Sequence, residues 1–206
     1  MNWILAAAAP VLIGSALLAT GRIHPAILAY HALCAAAIFR QRGRLRPLFP
    51  WNRTTALATL ATTFVIVAFL LAAPFVRDPA PYRDLFRHTL FPRGDPRTLF
   101  TLFAAYTMVV HAPLEEVFWR GVVMDPDRRP SGTAVAGNAF FFYLNHAVPM
   151  ALVLGPQGAV LAGPKAAAGA LWAFVTIRSR SLWPGLVSHW AADAAILGGM
   201  WFYFIR

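Results

Sequence analysis

Long, uninterrupted apolar runs limit the fold of this chain more than any other feature. They occupy roughly Trp3–Ala19, Pro25–Phe39, Thr55–Ala73, Leu99–Met124, Thr133–Leu154, Gln157–Ile177 and Leu182–Ile205. A helix needs about 20 mainly apolar residues to cross a bilayer, so the runs predict about seven spans, with six to eight as the bounds. The second run is short, and the boundary between the fifth and sixth is soft. None of the runs alternates with period 2. Backbone in lipid must bond internally, which favours helices over strands. The expected class is all-α: a polytopic transmembrane helical bundle in which residues 1–206 form a single membrane-embedded domain. No internal repeat is visible.

Charge supports the same reading. Hydrophobic residues make up 59% of the chain and charged residues 13%, against about 25% charged in soluble domains. That is too little polar surface to cover a soluble fold of this size. The net charge of +10 would suggest nucleic acid in a soluble protein. Here the arginines gather in the breaks between runs, where they anchor helix ends and set orientation. Membrane lipids are therefore expected as partners, and nucleic acid is not. Cys34 is the single cysteine and can close no intrachain disulfide. The start, MNWILAAAAP, lacks a basic segment and a small-residue cleavage site, so the first run reads as a retained span.

Orientation follows from the stretch RQRGRLRPLFPWNR, which carries Arg40, Arg42, Arg44, Arg46 and Arg53 and no acid. The positive-inside rule makes this loop cytoplasmic, with the N-terminus inside and the end of a seven-span chain outside. The breaks with Arg128/Arg129 and Arg178/Arg180 then also fall inside. Residues 74–98 fall outside yet hold five arginines, partly offset by Asp78, Asp84 and Asp95. In that stretch Tyr82, Leu85, Phe86, Thr89 and Leu90 suit the lipid face of a short interfacial helix. Small residues Gly163, Ala166, Ala167, Ala170 and Ala173 suit close helix approach. Trp3, Trp51, Trp183 and Trp201 lie near span ends, as interface anchors do.

Ionisable groups inside a span cost several kcal/mol and are functional candidates by default. Three sites stand out. Glu115 and Glu116 are the only glutamates, and Arg120 follows in the same run. Glu116 and Arg120, four residues apart, stack on one helix face and can pair. Glu115 lies one step around the helix. His111 precedes it by four residues, but Pro113 perturbs the turn between them. His146 lies in an aromatic run one turn after Phe142. His189 and Asp193 share a face at four-residue spacing, and an aspartate within reach of a histidine orients its ring. Each site alone also reads as structural: an ion pair, a bundle hydrogen bond, a self-neutralising pair. Together they lie on different helices, ~10–20 Å below the cytoplasmic surface at ~1.5 Å per residue. Such a set supplies a general base, proton carriers and oxyanion donors for activating a water. His24 and His88 fall in loops, His31 and Cys34 read as packed in the second span, and Asn145 as a bundle hydrogen bond. Lys165, the only lysine, either snorkels outward or marks the true start of its helix.

Glu115-Glu116 with Arg120, Phe142 with His146, and His189 with Asp193, in this order on successive runs, resemble the three motifs of the CPBP family. These are type II CAAX prenyl endopeptidases with bacteriocin-processing and immunity relatives. Ser181-Leu182-Trp183-Pro184-Gly185 also resembles the family's approach to its last motif helix. The likeness covers about residues 99–200. It implies an intramembrane endopeptidase in a helical bundle, with a peptide or protein substrate that is lipidated or membrane-anchored. By the same resemblance Glu115 activates water with help from His146, and Glu116 and Arg120 orient Glu115. His189 and position 193 stabilise the oxyanion. Asp193 departs from the asparagine common there, and an ionised carboxylate repels an oxyanion. It acts either protonated or by orienting His189. Glu115, His146, His189 and Asp193 also form a set able to bind zinc, although a metal-free mechanism is the expectation. The corresponding location is a prokaryotic plasma membrane. Two other readings remain: a non-enzymatic immunity or scaffold protein of the same ancestry, and a proton-coupled carrier.

Overall fold

The computed structural model describes residues 1–72, 95–125 and 131–202. The expected interfacial helix around Tyr82–Leu90, His88 and the pair Arg128/Arg129 lie outside these residues. Among the described residues there are helices and no strands. In chain order they are α1 (Trp3–Thr20), α2 (Ile23–Leu45), α3 (Arg53–Ala72), α4, α5 (Gly132–Leu154), α6 (Pro156–Leu161), α7 (Gly163–Ser179) and α8 (Trp183–Met200). Helix α4 begins with Pro96–Tyr106 and continues through Thr107–His111, Ala112–Glu116 and Val117–Val123.

Local chemistry sets the helix starts. Asn2, Asp95 and Ser131 each accept a hydrogen bond from the backbone N–H three residues on, satisfying a donor the helix leaves open. Thr98 also bonds Asp95 through its hydroxyl, and these bonds hold the Asp95 carboxyl below the usual aspartate range. Gly155, at φ +72°, ends α5 and divides the fifth run from the sixth. The sixth run is itself split at Ala162 by the Gly163-Pro164 pair. Lys165 therefore sits in the first turn of α7 and marks that helix's start. The second run is longer than expected: α2 continues to Leu45 and takes Arg40, Arg42 and Arg44 into the helix. Arginine is a good helix former, and cations suit a helix C-terminus. Of the small residues in the sixth run, Ala173 is fully buried, whereas Gly163 and Ala167 face outward.

Five stretches are long and apolar enough to cross a membrane: Trp3–Thr20, Ile23–Leu48, Arg53–Leu70, Gly132–Leu154 and Pro156–Ser179. Helices α4 and α8, which carry Glu115, Glu116, Arg120, His189 and Asp193, are not among them. The burial pattern is the inverse of a soluble protein's. Ile4, Phe64, Val109 and Val160 are each more than 70% exposed, while Glu115, Glu116, Arg120 and His189 are fully buried. Apolar side chains facing outward around a polar interior suit lipid as solvent. This is an integral membrane protein.

Helix packing follows a simple order. α1 lies against α2 and α5, α5 against α7, and α3 against α8. The second half of α4 is enclosed by α2 and α8. Several connections meet at one end of the bundle. Arg44 pairs with Asp125 at 2.8 Å. The Asn2 N–H donates to the Val123 carbonyl, and the Leu182 N–H to the Leu48 carbonyl. The Trp183 indole N–H donates to the Phe49 carbonyl. The ends of α2, α4 and α7 and the starts of α1, α3 and α8 thus share one face, where most of the described arginines lie.

Candidate active site

Helix α4 supplies the centre of the site and is not a regular α-helix there. Thr107–His111 and Val117–Val123 are π-helical, and the Ala112 N–H bonds the Thr107 carbonyl five residues back. Pro113 has no N–H to donate, and its ring crowds the carbonyl four residues earlier. The wide turn just before it absorbs that conflict, as π-bulges near functional groups often do. The turn is perturbed as Pro113 implies, yet His111 and Glu115 stay within 3.6 Å of each other.

Glu115 is fully buried, and its two oxygens have different surroundings. Oε1 accepts a hydrogen bond from the Tyr30 hydroxyl at 2.8 Å and one from Asn145 Nδ2 at 3.5 Å. The Trp119 indole N–H donates to the Tyr30 oxygen at 2.8 Å and holds that ring in place. Oε2 has no hydrogen-bond partner among the described residues. It faces three imidazoles through their Nε2 atoms: His111 at 3.6 Å, His146 at 3.8 Å and His189 at 4.0 Å. One oxygen is tied down, and the other is presented to a ring of nitrogens.

Glu116 faces the other way. Its Oε1 accepts from Arg120 Nη1 at 3.0 Å and from His189 Nδ1 at 2.8 Å. The Arg120 guanidinium lies over the Phe142 ring at 4.3 Å and near the Trp172 ring at 5.0 Å. The His189 ring stacks on Trp172 at 4.4 Å. Trp172 is fixed by its indole N–H on Ser188 Oγ at 2.8 Å. Asp193 approaches His189 Nε2 at 3.6 Å. His146 Nδ1 lies 2.9 Å from the Phe142 carbonyl. A carbonyl only accepts, so this nitrogen carries hydrogen, and Nε2 of the neutral ring presents a lone pair toward Glu115. The His146 and His111 side chains keep 16% and 24% exposure against none for Glu115 and His189, so the site opens past these two rings.

The structure thus brings Glu115, Glu116, Arg120, His146, His189 and Asp193 together. It adds residues that sequence reasoning set elsewhere. Asn145 makes the expected bundle hydrogen bond, and its partner is Glu115 itself. His31 is not simply packed in its span: its Nε2 lies 2.9 Å from His111 Nδ1, and its Nδ1 is bonded to the Tyr106 hydroxyl. His31 was open to the same criterion as His146, an ionisable group in mid-span. Tyr30 and Tyr106 had no such signal.

Gly185 fixes how closely α8 approaches α4. A Cβ on it would lie 2.5 Å from Glu116 Oε2. Gly185→Ala is expected to push Glu116 off His189 and lower whatever activity the site carries by about 10²-fold, the usual cost of ~1 Å of misplacement in a working side chain. Initial rates on the parent and the variant check this, and an unchanged rate would show that the contact is not needed.

A metal is chemically compatible with these donors. His111, Glu115 and His189 bring ligand atoms within 4.8 Å of one another. Zinc bonds of 2.0–2.2 Å put neighbouring tetrahedral ligands roughly 3.4 Å apart, while a water hydrogen-bonded to the same atoms needs roughly 4.5 Å. The observed 3.6–4.0 Å around Glu115 Oε2 lies between the two. Of the four residues expected for zinc, this set keeps Glu115 and His189, leaves out His146 and Asp193, and adds His111.

Fold and site define a class: helical integral membrane proteins with a carboxylate held among imidazoles inside the bundle. Residues 97–195 match the family model described as type II CAAX prenyl endopeptidase Rce1-like. That stretch is similar to this endopeptidase family, in line with the three motifs. No curated protein and no solved structure matches the chain.

Proposed function

We propose that the protein is an intramembrane endopeptidase that hydrolyses a peptide bond near the membrane surface with a water activated by Glu115. The observation that carries this is the division of the Glu115 carboxylate, with Oε1 held by Tyr30 and Oε2 facing three imidazoles. Oε2 takes a proton from the water as its oxygen attacks the scissile carbonyl carbon. The His146 Nε2 lone pair receives that proton in turn and delivers it to the amide nitrogen as the C–N bond breaks. His189 stabilises the oxyanion. Its Nδ1–H is committed to Glu116, and an Nε2–H suits the carboxylate oxygens of Glu115 and Asp193 nearby. Asp193 then acts by orienting His189 rather than by touching the oxyanion. Glu116 and Arg120 hold the His189 ring. Zinc, when bound, would be held by His111, Glu115 and His189 and would supply Lewis-acid polarisation. The reading preferred here does not need it.

The substrate is a peptide or protein anchored in the membrane, with a prenylated C-terminal tail, a leader peptide or a sorting tail as candidates. The arginine-rich face supports placing this end on the cytoplasmic side, in a prokaryotic plasma membrane. Glu115 lies eight residues from Val123 at that end of α4, which is less than the ~12 Å a regular α-helix of that length would span, because Val117–Val123 is π-helical.

The test reconstitutes the full chain in lipid vesicles with membrane-anchored peptides of these three kinds and identifies new peptide ends by mass spectrometry. Paired new termini from one peptide class are expected, with the rate unchanged by 1,10-phenanthroline. No new end from any class would favour the non-enzymatic reading. A rate lost to the chelator and restored by zinc would move the mechanism to the metal.

A further inference from the structure

The proteolytic reading leaves three groups unused. They form one chain: the Tyr106 hydroxyl on His31 Nδ1, His31 Nε2 at 2.9 Å from His111 Nδ1, and His111 Nε2 at 3.6 Å from Glu115 Oε2. It links α2 to two parts of α4, and His31 is only 5% exposed. Every group except the terminal carboxylate can donate or accept, so the chain has two internally consistent directions.

Glu115 selects between them. An ionised carboxylate only accepts, and a lone pair on His111 Nε2 would face it across 3.6 Å. An N–H there is attractive instead. A neutral His111 with Nε2–H has a bare Nδ1, which needs a donor. His31 supplies it through Nε2–H, which leaves its own Nδ1 bare. The Tyr106 O–H donates to that nitrogen. Each link fixes the next without a buried group left over.

We propose that Tyr106 and His31 are positioning residues for the endopeptidase centre. They hold His111 in the Nε2–H tautomer, so that a second imidazole N–H, beside that of His189, points at the open oxygen of Glu115. This rests on the proteolytic reading and deepens it. The same tautomer removes the His111 lone pair that zinc would require at Nε2. Tyr106 and His31 therefore favour the water-activating use of these residues over metal binding. His146 presents a lone pair to the same oxygen and His111 a hydrogen, so the two rings at the mouth of the site have complementary roles.

The test has two arms. In the first, the full-length protein with ¹⁵N-labelled histidine is placed in bilayers and its ring nitrogens are read by NMR. His111 is expected to show a protonated Nε2 and a bare Nδ1. Tyr106→Phe removes the first donor and should mix the tautomers of both His31 and His111. A bare Nε2 on His111 in the parent, or a response to Tyr106→Phe confined to His31, overturns the proposal. In the second arm, His31→Leu lowers kcat by about 10–100-fold, as loss of an outer partner of a functional histidine does, with KM unchanged. His31→Gln restores the rate, because its amide N–H replaces the donor to His111 Nδ1. Tyr106→Phe lowers kcat in the parent but adds nothing to His31→Gln, a non-additivity that packing damage would not produce. Full activity in His31→Leu overturns the proposal. If the parent cleaves nothing, the proteolytic reading fails by itself, and the NMR arm still decides the tautomer.

Discussion

The Glu115→Gln variant is expected to lose peptide cleavage by about 10²–10⁴-fold, the usual contribution of a positioned general base, while inserting and melting like the parent. Glutamine is nearly isosteric with glutamate. Its carbonyl oxygen can take the place of Oε1 and keep the hydrogen bond from Tyr30 at 2.8 Å. Its amide nitrogen then takes the place of Oε2, facing the three imidazoles, and can donate to the His146 lone pair. Burial and packing are kept, while the capacity to take a proton from water is lost together with the charge that the His111 and His189 N–H groups face. Glu115→Asp makes the complementary point. It keeps the charge but draws the carboxylate back by one methylene, and a displacement of ~1 Å at such a group costs about 10²-fold. Initial cleavage rates in vesicles, read beside thermal melting, check both variants. A Glu115→Gln protein with more than a tenth of the parental rate would remove Glu115 from the role of base, whatever the other residues do.

The division within this site also explains what the sequence could reveal. Glu115, Glu116, His146, His189 and Asp193 were legible because lipid makes a buried charge costly, so each stood out against its own run. The partners that give Glu115 its asymmetry were not. Tyr30 is separated from it by 85 residues, and a tyrosine in an apolar run looks like packing. Asn145 read as a bundle hydrogen bond without a partner, and Glu115 lies near enough to meet both it and His146. His111 showed the right spacing, but Pro113 argued against alignment. The π turns that resolve that conflict depend on how α2 and α8 enclose α4, which periodicity along one run does not report. The boundaries show the same limit. Arginines read as loop became the last turns of α2, because their charge was legible and their helical backbone was not.

Glu116 gives the second large effect, and it separates structure from catalysis. One oxygen, Oε1, holds both Arg120 at 3.0 Å and His189 at 2.8 Å. Glu116→Ala leaves a guanidinium enclosed by Phe142 and Trp172 with no carboxylate, and removes the acceptor of His189 Nδ1. Breaking a buried pair from one side costs about 3–5 kcal/mol, so this variant is expected to melt far below the parent or to fail to accumulate. Replacing both partners with apolar residues of similar size, as in Glu116→Leu with Arg120→Met, avoids the unpaired charge and is often neutral or stabilising. The double variant should therefore recover thermal stability while cleavage stays lost, because His189 still lacks the acceptor that fixes its ring. Melting curves and cleavage rates on the single and double variants separate the two roles. If the double variant cleaves at the parental rate, Glu116 and Arg120 are a structural ion pair only, and His189 must be oriented by Trp172 and Asp193. If Glu116→Ala melts like the parent, the charge on Arg120 is satisfied elsewhere, and the account of α4 and α8 meeting through a shared carboxylate is wrong. The opposite pattern, stability regained without activity, would mean that the oxygen which makes the buried arginine tolerable also sets the histidine that meets the substrate.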